Sequence, residues 1–314
     1  MRRAGVVGAL ALLLGTGCVR HAVPLVTHQT RTFPAAADKL VRLDVRSFDV
    51  DVRVTEAATI SVTVDLDARS SSRGAARRWV EDNTPVFDDS SSALEVRVPT
   101  RGRGLFIIGF LHTKAKLELV VPPTCRLEVR TSSGDVAIGG TAALAGTVRV
   151  RTSSGDLNVT GGLRELVART SSGDVRVTGQ PLAVLEADTS SGDITLEAGS
   201  ERAIVDTTSG DVRLEKLTGD LSADATSGEV RASWDKVPAG RKLRVHTSSG
   251  DVHVRIPRAA PLKGEIHTSS GSISSDIEGS TGDRGHRLSF SAPGETVDLD
   301  VRTSSGDVSV HTHG

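Results

Sequence analysis

One turn motif, Thr-Ser-Ser-Gly-Asp-Val or a near variant, recurs along the C-terminal two thirds of the chain. Its glycines are Gly134, Gly155, Gly173, Gly192, Gly210, Gly228, Gly250, Gly271 and Gly306. The first eight copies are 18 to 22 residues apart, and the ninth follows 35 residues after the eighth. The variants are A-T-S-G-E-V at Ala225–Val230 and T-S-S-G-S-I at Thr268–Ile273. A short unit repeated at a nearly fixed period cannot bury its own apolar face, so it must stack on its neighbours.

Apolar residues alternate on both sides of each turn. Two positions after the glycine stand Val136, Leu157, Val175, Ile194, Val212, Val230, Val252, Ile273 and Val308. Five positions before it stand Val129, Val150, Ala168, Ala187, Val205, Ala223, Val245, Ile266 and Val301. Period two on each side predicts two short, half-buried strands per repeat. The glycine is expected to supply a positive φ, and the serine hydroxyls to satisfy backbone donors in the turn.

The expected fold is all-β: a β-solenoid or β-helix of about nine two-strand repeats, with an atypical N-terminal β cap. Near-identical turns are what stacked copies of one coil would show. An antiparallel β-meander, with each turn closing a hairpin, is the alternative. The expected divisions are 1–17, 18–38, 39–124 and 125–314. In the cap region Val41–Val54 and Thr59–Asp65 read as strands, as do Leu94–Val98 and Lys116–Val121. Ser71–Asp82 reads as a short helix with Trp79 and Val80 inward.

Residues 1–17 read as a signal peptide. Arg2 and Arg3 precede an apolar run, Ala4–Leu14, too short to span a bilayer. Gly15, Thr16 and Gly17 then lead into Cys18, as at a bacterial lipoprotein cleavage site, although Gly15 stands where such sites prefer Leu. Cys18 is the expected lipidation site, and 18–38 the linker from the anchor. Lipid anchoring at an outer-membrane or periplasmic face is expected, with plain secretion as the alternative. With Cys18 acylated, Cys125 has no disulfide partner and reads as a small buried hydrophobe.

The copies of T-S-S-G-D-V, the V-V-P step at Val120–Pro122 and this leader resemble the bacterial putative-adhesin β-strand-repeat family, a domain of unknown function. The resemblance spans roughly residues 40–314. It implies a cell-envelope location and a β-solenoid-like domain with no assigned enzymatic activity.

Composition narrows the partners. The net charge is −1, so no global field favours nucleic acid. Aromatic residues make up 3% and tyrosine is absent, which disfavours a stacking platform for bases or sugars. The residue before each T-S-S-G should point outward and form a column: Arg130, Arg151, Arg169, Asp188, Asp206, Asp224, His246 and His267. This is the candidate binding column, set against the plainer reading of a solvated face.

Other groups are weighed against plain solvation. The turn acids Asp135, Asp156, Asp174, Asp193, Asp211, Glu229, Asp251 and Asp307 could offer oxygen ligands to calcium, but read better as solvated carboxylates. His246, His253 and His267 near one corner, with His311 and His313, could bind zinc or copper, but read better as exposed imidazoles. No metal or cofactor is expected. Leu105–Leu111 (L-F-I-I-G-F-L) is either a buried strand or an exposed apolar hairpin.

The expected function is a non-catalytic envelope module, presenting a rigid repeat face to an envelope protein or polysaccharide. One alternative is an envelope-stress sensor whose partner adds to an open C-terminal edge. Another is a polysaccharide-acting β-helix enzyme using Asp188, Asp206 and Asp224. The anchor has a direct check: Cys18→Ser should move the protein from the membrane to the soluble fraction, and unchanged membrane fractionation would contradict it.

Overall fold

The computed structural model describes residues 23–99 and 110–314. The expected leader, Cys18 and residues 105–109 of the apolar run lie outside the described residues. The chain divides into two compact units, Met1–Gly146 and Thr147–Gly314, and each is described by itself.

In the first unit the strands are β1 (Val23–Pro34), β2 (Leu40–Asp44), β3 (Asp49–Val54), β4 (Thr59–Ser70), β5 (Val86–Asp89), β6 (Ala93–Arg97), β7 (Leu111–Val121), β8 (Arg126–Arg130) and β9 (Val136–Gly140). One sheet has the order β1-β4-β7-β3-β9, and the other contains β5-β6-β2-β8. β3 runs parallel to both β7 and β9, and β2 parallel to both β6 and β8. β1, β4 and β7 are antiparallel to one another in turn. Helix α1 (Arg73–Asn83) follows β4, capped by the Ser72 hydroxyl accepting from the Ala75 N–H. It buries Ala75, Ala76 and Val80, while Trp79 is only half-buried. The 18–38 segment, expected as a linker, contains the twelve-residue strand β1. Its alternation is spread over Leu25, Thr27, Gln29, Arg31 and Phe33, a pattern too polar to stand out.

The chain passes from one unit to the next within β10 (Leu144–Arg151). In the second unit, the strands leading into turns are β12 (Leu163–Thr170), β14 (Leu182–Thr189), β16 (Ser200–Ser209), β18 (Asp220–Ser227), β20 (Lys242–Ser249), β22 (Leu262–Ser270) and β26 (Val297–Ser305). Those leaving turns are β11 (Leu157–Val159), β13 (Val175–Val177), β15 (Ile194–Leu196), β17 (Val212–Leu217), β19 (Val230–Trp234), β21 (Val252–Pro257), β23 (Ile273–Ser275) and β27 (Val308–His313). Each strand pairs in parallel with its copies in neighbouring repeats, for example Ala187 with Val205 and Ile194 with Val212. The chain is therefore β-solenoid-like, not a meander. The inward residues predicted from alternation are buried, among them Leu185, Ala187, Ile194, Val245 and Val301.

Coil order departs from chain order at the C-terminal end. The sheet orders are β11-β13-β15-β17-β19-β21-β27-β23 and β12-β14-β16-β18-β20-β26-β22-β25-β24, where β24 is Ser280–Gly282 and β25 is Arg287–Ser291. The ninth repeat sits between the seventh and the eighth. The reason lies in the core. The ninth repeat buries Val297, Leu299, Val301, Val308 and Val310 completely. The eighth has Ser275 where the other copies carry an aliphatic residue or alanine, and Ile273 is only half-buried. The weaker coil takes the edge. The extra residues between the two copies form the β24–β25 pair, which covers β22 antiparallel. The other strand of that coil, β23, remains the edge strand of its sheet, so the open C-terminal edge on which the stress-sensor reading rests persists there.

The motif glycines are needed for a different reason from the one expected. Positive φ occurs at Gly228, Gly250, Gly271 and Gly306, but Gly134, Gly155, Gly173, Gly192 and Gly210 are not among the positive-φ residues. What Gly134, Gly173, Gly192, Gly210, Gly228, Gly250, Gly271 and Gly306 share is close approach. A Cβ on Gly192 would sit deep inside the carbonyl oxygen of Gly173, and one on Gly173 inside that of Gly155. The turn hydroxyls also differ from expectation. The serines are exposed, whereas the buried threonine takes the turn donor: Thr152, Thr170 and Thr189 accept from the N–H of Gly155, Gly173 and Gly192 at 3.0 Å. At Gly210, Gly228, Gly250 and Gly306 the glycine N–H reaches a serine carbonyl of the next coil instead.

Gly192→Ala should destabilise the protein by about 1–3 kcal/mol in chemical denaturation, the scale of overpacking a close-fitted site. Gly240→Ala, where nothing lies within 4 Å, should cost about 1 kcal/mol through its positive φ alone.

Candidate functional site

The candidate column lies on the outward face of the turn-leading sheet, because its residues alternate with the buried Ala168, Ala187, Val205 and Ala223. Parallel register aligns it residue by residue. Arg169 pairs with Asp188, Asp188 with Asp206, Asp206 with Asp224 and Asp224 with His246. Arg151 and Arg169 stand on the adjacent strands β10 and β12. Arg130 belongs to the first unit, where its Cα partner is Asp44 and its guanidinium meets Glu128 at 2.6 Å.

Beyond His246 the column differs from the one read in sequence order. The next member is Arg302, and His267 follows it. His246 and His267 are therefore separated by a cation. His253, expected at the same corner, is on β21 in the other sheet. It meets Glu229 at 2.9 Å. No cluster of three or more metal-type side chains occurs among the described residues. Arg302 was missed because the interleaved ninth coil cannot be read from spacing.

The electrostatics concentrate on three carboxylates in adjacent coils. Arg169 closes one end, with its Nε 4.0 Å from Asp188 and its Nη2 2.9 Å from Glu186. His246 closes the other, with Nδ1 3.7 Å from Asp224 and Nε2 3.3 Å from Asp300. Asp300 also meets Arg302 at 2.8 Å. Among the described residues no cation pairs with the central Asp206. Desolvation, and then the charges of Asp224, Asp188 and Glu186, raise its pKa above the ordinary aspartate value. Asp188 and Asp224 have side-chain exposures of 55% and 51%, so water reaches the strip.

The turn acids, expected to be solvated, instead hold the coils in register. Each carboxylate Oδ1 accepts the backbone N–H of the next turn acid: Asp156 from Asp174 and Asp174 from Asp193 at 2.9 Å, Asp193 from Asp211 and Asp211 from Glu229 at 2.8 Å. Asp251 accepts from Asp307, and Asp307 from Ser272, also at 2.8 Å. The amide and hydroxyl of Ser272 hold the Asp307 carboxyl below the usual range. Glu229, one methylene longer, pairs instead with Arg231 and His253. One oxygen of each of these aspartates is thus engaged by a backbone donor, and the array acts as a structural ladder.

The raised pKa of Asp206 sets the sign of a pH effect. The folded state holds the proton to higher pH than the unfolded chain, so stability falls as pH rises through that window. Asp206→Asn should therefore raise stability at neutral pH by about 0.5 kcal/mol, the scale of exposed charge interactions. The gain should vanish in acid, below the ordinary aspartate range. Denaturation midpoints measured across pH would show this, and a gain independent of pH would contradict it.

A solved structure described as a "putative lipid binding protein" from Parabacteroides distasonis is similar, with a TM-score of 0.55 at 14% identity, covering 91% of this chain and 97% of that one. A "putative adhesin" from the same species gives 0.44 at 12% identity, over 73% and 97%. A "putative adhesin" from Bacteroides fragilis gives 0.40 at 10%, over 91% and 97%. No curated protein matches the chain. The first likeness shows a shared fold. The sequence profile described as Toastrack DUF4097 matches residues 40–311, and the chain belongs to that family.

Proposed function

We propose that this protein is a non-catalytic binding module of the cell envelope, lipid-anchored through Cys18. Its turn-leading sheet would meet a partner carrying cationic groups, on an envelope protein or a polysaccharide. The observation that carries this reading is the strip Asp188, Asp206 and Asp224, in which three carboxylates stand in register and the central one has no counter-charge among the described residues. A partner's cation would relieve that repulsion, which makes the strip complementary to positive charge.

The strip also argues for binding over glycan cleavage. A glycosidase needs two carboxyls differentiated by their surroundings, one kept protonated in a desolvated pocket. Here Asp206, whose pKa is raised, stands on the same β-face directly between two carboxylates that are half exposed, with no separate acid-holding pocket around it among the described residues. No helix of the described residues is long and apolar enough to cross a membrane, and the anchor reading rests on the leader alone.

Neutralising the strip as Asp188→Asn, Asp206→Asn and Asp224→Asn together should weaken retention of the partner from a solubilised envelope fraction by about tenfold or more. Raised salt should weaken the unmodified protein in the same direction. Undiminished retention by a folded triple variant would contradict the assignment.

A further inference from the structure

β1, β4 and β7 continue past the point where β3 begins. β3 starts at Asp49, opposite Lys116, whereas β7 starts at Leu111. Residues 111–115 pair with Leu66–Ser70 of β4, and these pair with Val23–Thr27 of β1. The result is a three-stranded antiparallel extension about 17 Å long at the usual rise per residue. Val23, Ser70 and Leu111 stand in one row at its tip. The Phe110 carbonyl is fixed there, accepting from the Ser71 N–H at 3.3 Å and the Ser70 hydroxyl at 3.0 Å. Its side chain is not covered: Phe110 is 51% exposed.

Cys18 lies five residues before Val23 in the sequence, a separation a chain spans in at most about 17 Å when fully extended. Only three large apolar residues are exposed among the described residues, and two of them, Val26 and Phe110, lie on this extension. His112 and Lys114 are exposed on β7 beside them. Asp67, between Val26 and Lys114 in register, is paired with the exposed Arg69 at 3.1 Å, and apolar and aromatic groups beside Lys114 and Arg69 suit the headgroup region of an anionic bilayer.

We propose that this tip docks on the bilayer that holds the Cys18 acyl chains, with Phe110 seated at headgroup depth. The proposal rests on the anchor reading of Cys18 and extends it from a tether to a two-point attachment. An acylated cysteine alone leaves the first unit free to tumble, whereas a second contact within about 17 Å of it fixes which end of the sheet meets the membrane.

The test is an environment-sensitive NBD label placed by Phe110→Cys in the full chain, purified from membranes and reconstituted in vesicles of phosphatidylcholine and phosphatidylglycerol. Acylated Cys18 offers no thiol, and Cys125 is buried with its pKa raised by desolvation, so the label has one position. A label placed by Val86→Cys, on the exposed side chain of β5, is the control. The proposal expects a blue-shifted emission at position 110, quenched by brominated lipid and several-fold less open to aqueous iodide than at position 86. Equal iodide access at both positions overturns it. Flotation of the Cys18→Ser chain with the vesicles reads the anchor separately. A chain that floats only when acylated but has a water-exposed label at 110 keeps the anchor and loses the docking. A Cys18→Ser chain that still floats with a lipid-quenched label keeps the docking and loses the anchor.

Discussion

Everything in the repeat domain depends on how closely successive turns stack. Within each unit a motif glycine lies against the carbonyl oxygen of the coil below, with no room for a side-chain carbon. Beside it, the turn carboxylate reaches across and accepts the next turn's backbone N–H. The glycine sets the spacing and the aspartate sets the register. A one-residue slip would send every inward Val and Leu to solvent, so these two residues protect the core on which the stability of each coil depends. The carboxylate bond is charge-assisted, which makes it stronger than an amide–carbonyl link of the same length.

This division of labour determines what the molecule can present. Turn residues are committed to the stack, and inward residues to the core. Variation is left to the outward positions of the sheets, where Arg169, Asp188, Asp206, Asp224, His246 and Arg302 follow one another in register. A solenoid copies backbone geometry from coil to coil, so like charges placed at one repeat position are forced into neighbouring places. The elevated pKa of Asp206 follows from that geometry together with its partial desolvation.

Most of the architecture was legible because its signals are local. Alternation around each glycine identified the buried set, and the repeat period identified stacking over hairpins. The order of the coils was not legible. It depends on which coil buries more, and a comparison of Ser275 with Val310 shows why the eighth repeat yields its place to the ninth. That swap also explains why Arg302 was absent from the column and why His246 and His267 do not meet. The turn acids were misjudged for a related reason: an exposed aspartate looks solvated until the donor one coil away is known. In the first unit, Lys39 is 2% exposed, donating to Asp89 at 2.6 Å and the Pro34 carbonyl at 2.9 Å, and nothing in its neighbourhood in sequence marks a lysine for burial.

Backbone donors in exposed turns are held by the carboxylates of neighbouring coils. Amide hydrogen exchange reads those donors directly. Asp193 and Asp211 are exposed side chains in turns, where unbonded N–H groups exchange freely. Their amides should exchange as slowly as those of the adjoining strands β15 and β17, opening only with the stack. Exchange at the rate of a free turn amide, with the strands still protected, would contradict it.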